Sequence, residues 1–256
     1  MNMGQLLSIS KSGLTGYQNY LDVISNNIAN VDTKGFKDKR VAFQELLNNG
    51  TYENEVGLSD NAQPLAMNTG VNIQQVNENE AQGALQEASG VYNVAIEGDG
   101  YFGVRDANNN LYLTRDGSFY RDSQGNLVNQ NGYQVDVQSQ LPASQWPTTG
   151  AVSISQQGYV SIGNTRVGRI LMYRPENSID MNAVGNNLYQ CTGNLISSAN
   201  TNNGFGIIHQ GMLENSNVDM ADSMSNLIIT QRAYQLNARA LQTTDEMMET
   251  INKFTE

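Results

Sequence analysis

Apolar residues recur every seven places at both ends of the chain. Near the start, Leu7, Leu14, Leu21 and Ile28 keep that spacing, and Tyr17, Ile24 and Val31 stand three places after the last three of them. Spacings that alternate between three and four line one side of an α-helix, so the pattern predicts a helix over residues 7–31 with an a/d seam. Near the end, Met220, Leu227, Tyr234, Leu241 and Met248 also recur every seven places. Met224 and Ala238 fill the same face, and Gln231 and Asp245 interrupt it. Two such seams at opposite ends of one chain are expected to pair. The first helix is expected to stop near residue 32, where Asp32-Thr33-Lys34-Gly35-Phe36 supplies a turn former and a glycine suited to a C-cap. Asn217 or Asp219 is the expected N-cap of the second, with Asp222 adding charge to its first turn.

Between the helices the pattern changes to short strands, predicted at residues 71–76, 92–97, 101–105, 111–114, 127–129, 133–137, 152–155, 159–162 and 166–173. Gly98-Asp99-Gly100, Asp116-Gly117, Gln124-Gly125 and Asn131-Gly132 separate several of them and tolerate the positive φ that tight hairpins demand. Turn signals roughly every 8–12 residues indicate an all-β region, not a βαβ one. Residues 37–47 suit a short strand or a last helical turn equally well. Residues 48–68 and 186–205 are rich in Asn and Gly and carry no period. The expected fold class is therefore α+β. A first helix lies within 1–35, an extended irregular segment spans 36–70, a β-rich domain spans 71–214, and a last helix within 215–256 pairs with the first in a coiled-coil-like stalk.

Composition narrows the function. With 256 residues there is ample material for a core, and a formal charge of −11 without a dense basic run argues against nucleic acid or an anionic membrane as partner. The single cysteine, Cys191, has no partner for an intramolecular disulfide. The first residues have no basic n-region and lead into a heptad helix, so neither a cleavable secretion signal nor membrane insertion is expected.

Candidate chemistry does not assemble. Gly98-x-Gly100-x-x-Gly103 spells a dinucleotide fingerprint after a predicted strand, but residues 104–114 read as strand, turn and strand instead of the helix whose N-terminus would hold pyrophosphate. Asp106-x-Asn108-x-Asn110 opens like a calcium loop and then places Leu111 and Gly117 where a glycine and a chelating glutamate are required. His209 is the only histidine, so a two-histidine metal site or a Ser-His-Asp relay elsewhere is excluded. Carboxylate pairs such as Asp219 with Asp222 lie on the last helix, where solvated or interfacial charge explains them. No catalytic, cofactor or metal residue is assigned, and no enzyme is expected. Tyr17, Tyr20, Ile228, Ile229, Met224, Met247 and Met248 spread apolar character beyond one face of each helix. Neighbouring subunits are expected to complete those faces, and contacts that do not close into a ring build open helical polymers.

The run from Ser25, Asn26 and Asn27 through Ile28, Ala29 and Asn30 to Gly35, Phe36 and Lys37 closely resembles the signature of flagellar basal-body rod and hook proteins. Asn217-Val218-Asp219-Met220, Gln231-Arg232-Ala233-Tyr234 and Thr243-Thr244-Asp245-Glu246-Met247 are similar to the C-terminal segment of that family. Ile96-Glu97-Gly98-Asp99-Gly100-Tyr101-Phe102 and Thr114-Arg115-Asp116-Gly117-Ser118-Phe119 are similar to its central motifs. The length and the Gln-Arg-Ala-Tyr run look most like distal rod members, and residues 44–69 stand where those members carry an extra stretch.

The resemblance implies a structural subunit of the distal rod, exported by the flagellar type III apparatus and assembled helically with itself and with neighbouring rod and hook proteins. It places the protein in the basal body and gives the terminal helices the inner tube, the β domain the outer layer, and the whole a torque-transmitting role. Asn26, Asn27 and Asn30 are expected at subunit contacts. The competing readings are a proximal rod or hook paralogue, and a secreted oligomeric binding protein whose β domain lines a ligand site with Tyr101, Tyr112, Tyr133 and Trp146.

Overall fold

The computed structural model describes residues 3–48, 67–139, 141–142, 145–147, 149–177, 181–200 and 204–255. They form an α+β protein in which a central β-rich region separates two terminal helices, α1 (Met3–Ala29) and α2 (Met220–Thr255). The chain divides into two compact units. The first gathers Met1–Ala29, Asp38–Asn79 and Asp219–Glu256; the second gathers Asn30–Lys37 and Glu80–Val218.

In the first unit α1 and α2 lie against each other, with Gly13 facing the Asn237 side-chain amide. The start of α2 is set by Asp219, whose carboxylate accepts the backbone N–H groups of Ala221 and Asp222 at 2.8 and 3.1 Å, satisfying donors that the first helical turn leaves without partners. The end of α1 comes earlier than the glycine suggests. After Ala29 the chain turns twice, with Thr33 N–H on the Asn30 carbonyl and Phe36 N–H on that of Thr33. Gly35 does have a positive φ of 69°, but it sits six residues past the helix and its N–H donates to the Glu214 carbonyl at 2.8 Å. It is therefore not the C-cap of α1.

Within residues 37–47 the chain becomes a strand from Lys39 onward. β1 (Lys39–Asn48) pairs antiparallel with β2 (Met67–Glu78), with Val41 opposite Val76 and Phe43 opposite Ile73. Residues 71–76, expected to open the β-rich domain, thus belong to a hairpin in the helical unit. Residues 49–66, most of the expected irregular segment, lie outside the described residues. Phe43 stacks edge-on against Tyr20 at 5.6 Å and tilts against Tyr17 at 6.0 Å, fixing the hairpin on α1 where Gly16 leaves room for the ring.

Among the described residues, every strand pair of the second unit is antiparallel. After β3 (Leu85–Glu87) and β4 (Val94–Glu97) come the central pair β5 (Tyr101–Arg105) and β6 (Leu111–Thr114). Their sheet runs from Met181–Gly185 through Leu188–Cys191, β6, β5 and Gln134–Val135 to Leu127–Val128 and Tyr120–Arg121, and Met172–Pro175 also pairs with β5. A second sheet orders Val137–Ser139, Thr165–Ile170, Tyr159–Ile162 and Val152–Ile154. β4 pairs with Ile207–Gln210 and β3 with Met212–Glu214.

Side chains alternate across a strand, and β5 uses both faces. Phe102 and Val104 enter one apolar core with Phe119, Val160 and Ile170, whereas Tyr101 enters another with Leu113, Tyr173 and Tyr189. Gly103 lies on the second face because a Cβ there would stand 2.4 Å from the Tyr173 ring. The last glycine of the apparent fingerprint is a packing residue inside a strand.

Four hairpin loops share one design. Asp106, Asp122, Asn129 and Ser155 each accept through the side chain the N–H of the residue four places on, and each exchanges backbone bonds across the same loop. The fourth residue of each loop, Asn109, Gly125, Gly132 or Gly158, has a positive φ. This is a type I turn followed by a left-handed bulge residue. The sequence resembling a calcium loop is one of the four, and the Asn110 side chain is the first cause holding the Asp106 carboxyl below its usual range.

Candidate assembly surface

α1 turns Gly16, Ile24 and Asn27 away from solvent, and Leu7, Leu14, Tyr17, Leu21 and Ile28 are half-buried. Val31, the last residue of the expected seam, lies beyond the helix in the second unit and is also half-buried. On α2, Leu227, Tyr234, Ala238, Leu241 and Met248 are half-buried, whereas Met220 and Met224 are 46% and 43% exposed. The most sheltered positions of α2 are Ser223 and Thr230, at 9% and 2%, and Asn237 and Thr244 continue them at half-burial. Residues 223, 230, 237 and 244 alternate by three and four with 227, 234, 241 and 248, forming a second heptad stripe of small polar side chains. Sequence reading passed over these residues because none is apolar. Gln231 and Asp245, which interrupt the alternative stripe, are exposed together with Met224, and only Ala238 of that stripe is half-buried.

What α2 exposes is equally informative. Met220, Met224 and Ile228 climb the helix at four-residue intervals and are 43–52% exposed. Ile229, Leu236 and Met247, at intervals of seven and eleven, share another side and are 61–65% exposed. Apolar side chains repeated along solvent-facing sides of one helix mark a protein interaction surface.

The motif residues divide between outward and inward roles. Ser25, Asn26, Gln231 and Arg232 are exposed, Asn30 and Tyr234 are half-buried, and Gly35 and Phe36 are buried. Asn27, expected at a subunit contact, is 4% exposed: its amide donates to Asp38 Oδ1 at 2.7 Å and to the Lys39 carbonyl at 2.8 Å, and its oxygen accepts the Lys39 N–H at 3.0 Å. The side chain fastens the start of β1 to the end of α1.

The aromatics that would line a ligand site do not converge on one. Trp146 is 4% exposed and donates its indole N–H to the Leu141 carbonyl, and Tyr112 and Tyr133 pack edge to face at 5.9 Å over the first core. Tyr101 borders a cavity of about 460 Å³ together with Glu80, Asp99, Arg115, Arg174 and Glu176. His209 Nε2 stands 2.6 Å from Glu97 Oε2 on the surface, and Cys191 is half-buried. Tyr173 donates to Asp136, which also pairs with Arg105 at 2.9 Å; burial, followed by that carboxylate, pushes the phenol up to about 12. No helix among the described residues is long and apolar enough to cross a membrane.

Comparison with known proteins finds one group of flagellar proteins along the chain. The family of flagella basal body rod proteins matches residues 7–37, the D1 domain of the flagellar hook protein FlgE/F/G residues 95–162, and the C-terminal region of flagellar basal body rod FlgEFG proteins residues 209–254. The chain is 35% identical to the flagellar basal-body rod protein FlgG of Buchnera aphidicola subsp. Schizaphis graminum, across 96% of this chain and 98% of that protein. It is 34% identical to FlgG of Borreliella burgdorferi, across 98% of each. Similarity to the rod protein FlgF of Caulobacter vibrioides is 36% but reaches only 89% of this chain and 88% of the relative.

Proposed function

The chain belongs to the flagellar basal-body rod protein family, most like FlgG, and from that premise we propose how this structural subunit of the rod works. It is a distal rod subunit without enzymatic activity. α1 and α2 form a coiled-coil-like stalk that builds the inner tube, and the β-rich unit forms the outer layer. Copies join head to tail into an open helical polymer, contacting neighbouring rod and hook proteins, and torque passes through their interfaces. The subunit reaches its place through the flagellar type III export apparatus.

The observation that carries this reading is the pair of exposed apolar rows on α2. Such rows are costly to leave in water at about 25 cal/mol per Å² of apolar surface, and a polymer of identical helices removes them from it. Because Ile229 and Leu236 are 64% and 65% exposed, charging them leaves the folded subunit intact. The Ile229→Asp/Leu236→Asp variant is expected to keep the wild-type circular dichroism and melting profile while failing to restore motility to a strain lacking the wild-type protein. Electron microscopy of its basal bodies should show no distal rod. Normal swimming by cells carrying the variant would overturn the reading.

A further inference from the structure

Three charged side chains meet inside the β-rich unit. Lys37, Glu214 and Arg115 are 3%, 1% and 6% exposed. The Lys37 ammonium donates to Glu214 Oε1 at 2.6 Å and to the Ala81 carbonyl at 2.9 Å, and the Gly83 N–H donates to the same carboxylate oxygen at 3.0 Å. Arg115 Nη1 stands 3.5 Å from the other oxygen, and its guanidinium lies 5.0 Å from the centre of the Tyr101 ring.

We propose that Glu214 is the keystone of a buried ionic clasp, closed by Lys37 and backed by Arg115, that seats the strap Asn30–Lys37 and residues 81–84 as part of the β-rich unit. The strap has little else to make it fold with strands. It is eight residues long, carries no regular secondary structure and contributes one large buried apolar side chain, Phe36. Further anchors surround the clasp. Gly35 N–H meets the Glu214 carbonyl, Lys34 Nζ meets Asn215 Oδ1 at 2.6 Å, and the Asn187 amide meets the Lys34 carbonyl at 3.0 Å. Asn217 reaches the Ala81 carbonyl from the end of the unit. Lys37 and Glu214, separated by 177 positions, thus join the first and last parts of the unit to the segment between them.

The charge count makes the carboxylate the critical member. One buried anion faces two buried cations, and the next carboxylate acting on Lys37, Glu80, is exposed; Arg115 Nε and Nη1 and Glu214 Oε2 have no hydrogen-bond partner, so neutralising Glu214 leaves two cations without a buried counter-charge. Removing Lys37 instead leaves a one-to-one pair. Burial already pushes the Lys37 ammonium below the usual lysine range, and Glu214 opposes that push.

Amide hydrogen exchange on the full chain tests the clasp. In Glu214→Gln, exchange at Gly35, Gly83 and Asn215 is expected to rise at least tenfold, while amides of β5 and β6 stay within twofold of wild type. Lys37→Met should raise the same amides less, and the double variant should fall back below Glu214→Gln because one uncompensated cation has been removed. Unchanged exchange in Glu214→Gln, an equal rise in β5 and β6, or a double variant no better than the single would overturn the proposal. If Glu214→Gln does not fold, recovery of the native spectrum by the double variant supports the clasp, and its failure to recover overturns it. None of these outcomes depends on assembly into a rod, so the clasp and the proposed function stand or fall separately.

Discussion

Gly35 shows how a single residue can be read correctly for its backbone and wrongly for its purpose. Its positive φ was legible in the sequence as a glycine after a helix, yet the reason for it is close approach, since a Cβ there would stand 2.7 Å from the Arg115 carbonyl carbon. Asn27 carries the same lesson for a polar side chain. An asparagine in a recurring motif suggests a partner subunit, but three hydrogen bonds within the chain account for it. Tyr173 permits a quantitative prediction at this scale. Its hydroxyl is raised from 10 to about 12, so the folded state favours the neutral phenol. That contribution is complete below pH 10, where the unfolded chain also keeps the proton, and is lost as the pH climbs through 12. The interval corresponds to roughly 2–3 kcal/mol. Tyr173→Phe removes this titration, so urea unfolding should show wild type losing about that much stability relative to the variant between pH 10 and 12. Parallel profiles for the two proteins would rule it out.

At the scale of elements, α2 is the instructive case. Of the stripe that heptad spacing picks out, Leu227, Tyr234, Leu241 and Met248 are half-buried but Met220 is exposed, and of the companions it assigns, Ala238 is half-buried and Met224 exposed. The sheltered companions are Ser223, Thr230, Asn237 and Thr244. Small polar residues fit where two helices approach closely, and Gly13 against Asn237 shows such an approach. The assignment has a direct test in two adjacent residues. Thr230→Asp places a charge at a position 2% exposed and is expected to cost about 3 kcal/mol or more, whereas Gln231→Asp on the exposed side should stay within about 0.5 kcal/mol of wild type. Thermal melts followed at 222 nm separate them, and equal losses would restore the other stripe. Strand content was easier to read where turn chemistry framed it, as at 101–105 and 111–114. The pair Met181–Gly185 and Leu188–Cys191 was missed because its turn, Asn186-Asn187 with both φ positive, lies at the edge of an Asn-rich stretch without period.

Over the whole molecule, the two units differ in what stabilises them. The β-rich unit has its own apolar cores, whereas the helical unit leaves much of α2's apolar surface in water. The helical unit is therefore expected to melt first in the isolated subunit. Trp146, the only tryptophan, is buried in the β-rich unit, so its fluorescence follows that unit, and dichroism at 222 nm follows α1 and α2. The dichroism midpoint should precede the fluorescence midpoint by several degrees; coincident transitions would show that the subunit unfolds as one cooperative body. The linear chain alone determined the two helices, most central strands and their turns, because period and turn chemistry are properties of neighbouring residues. Its ordered motifs also identified the family. Tertiary structure alone decided that 67–78 pairs with 39–48, which polar stripe of α2 is sheltered, and that Lys37 meets Glu214 across 177 positions. Local pattern leaves those choices degenerate: a strand's alternation does not name its partner, a serine or threonine suits either side of a helix, and a lysine close to a glycine reads as solvated until a buried carboxylate is folded against it.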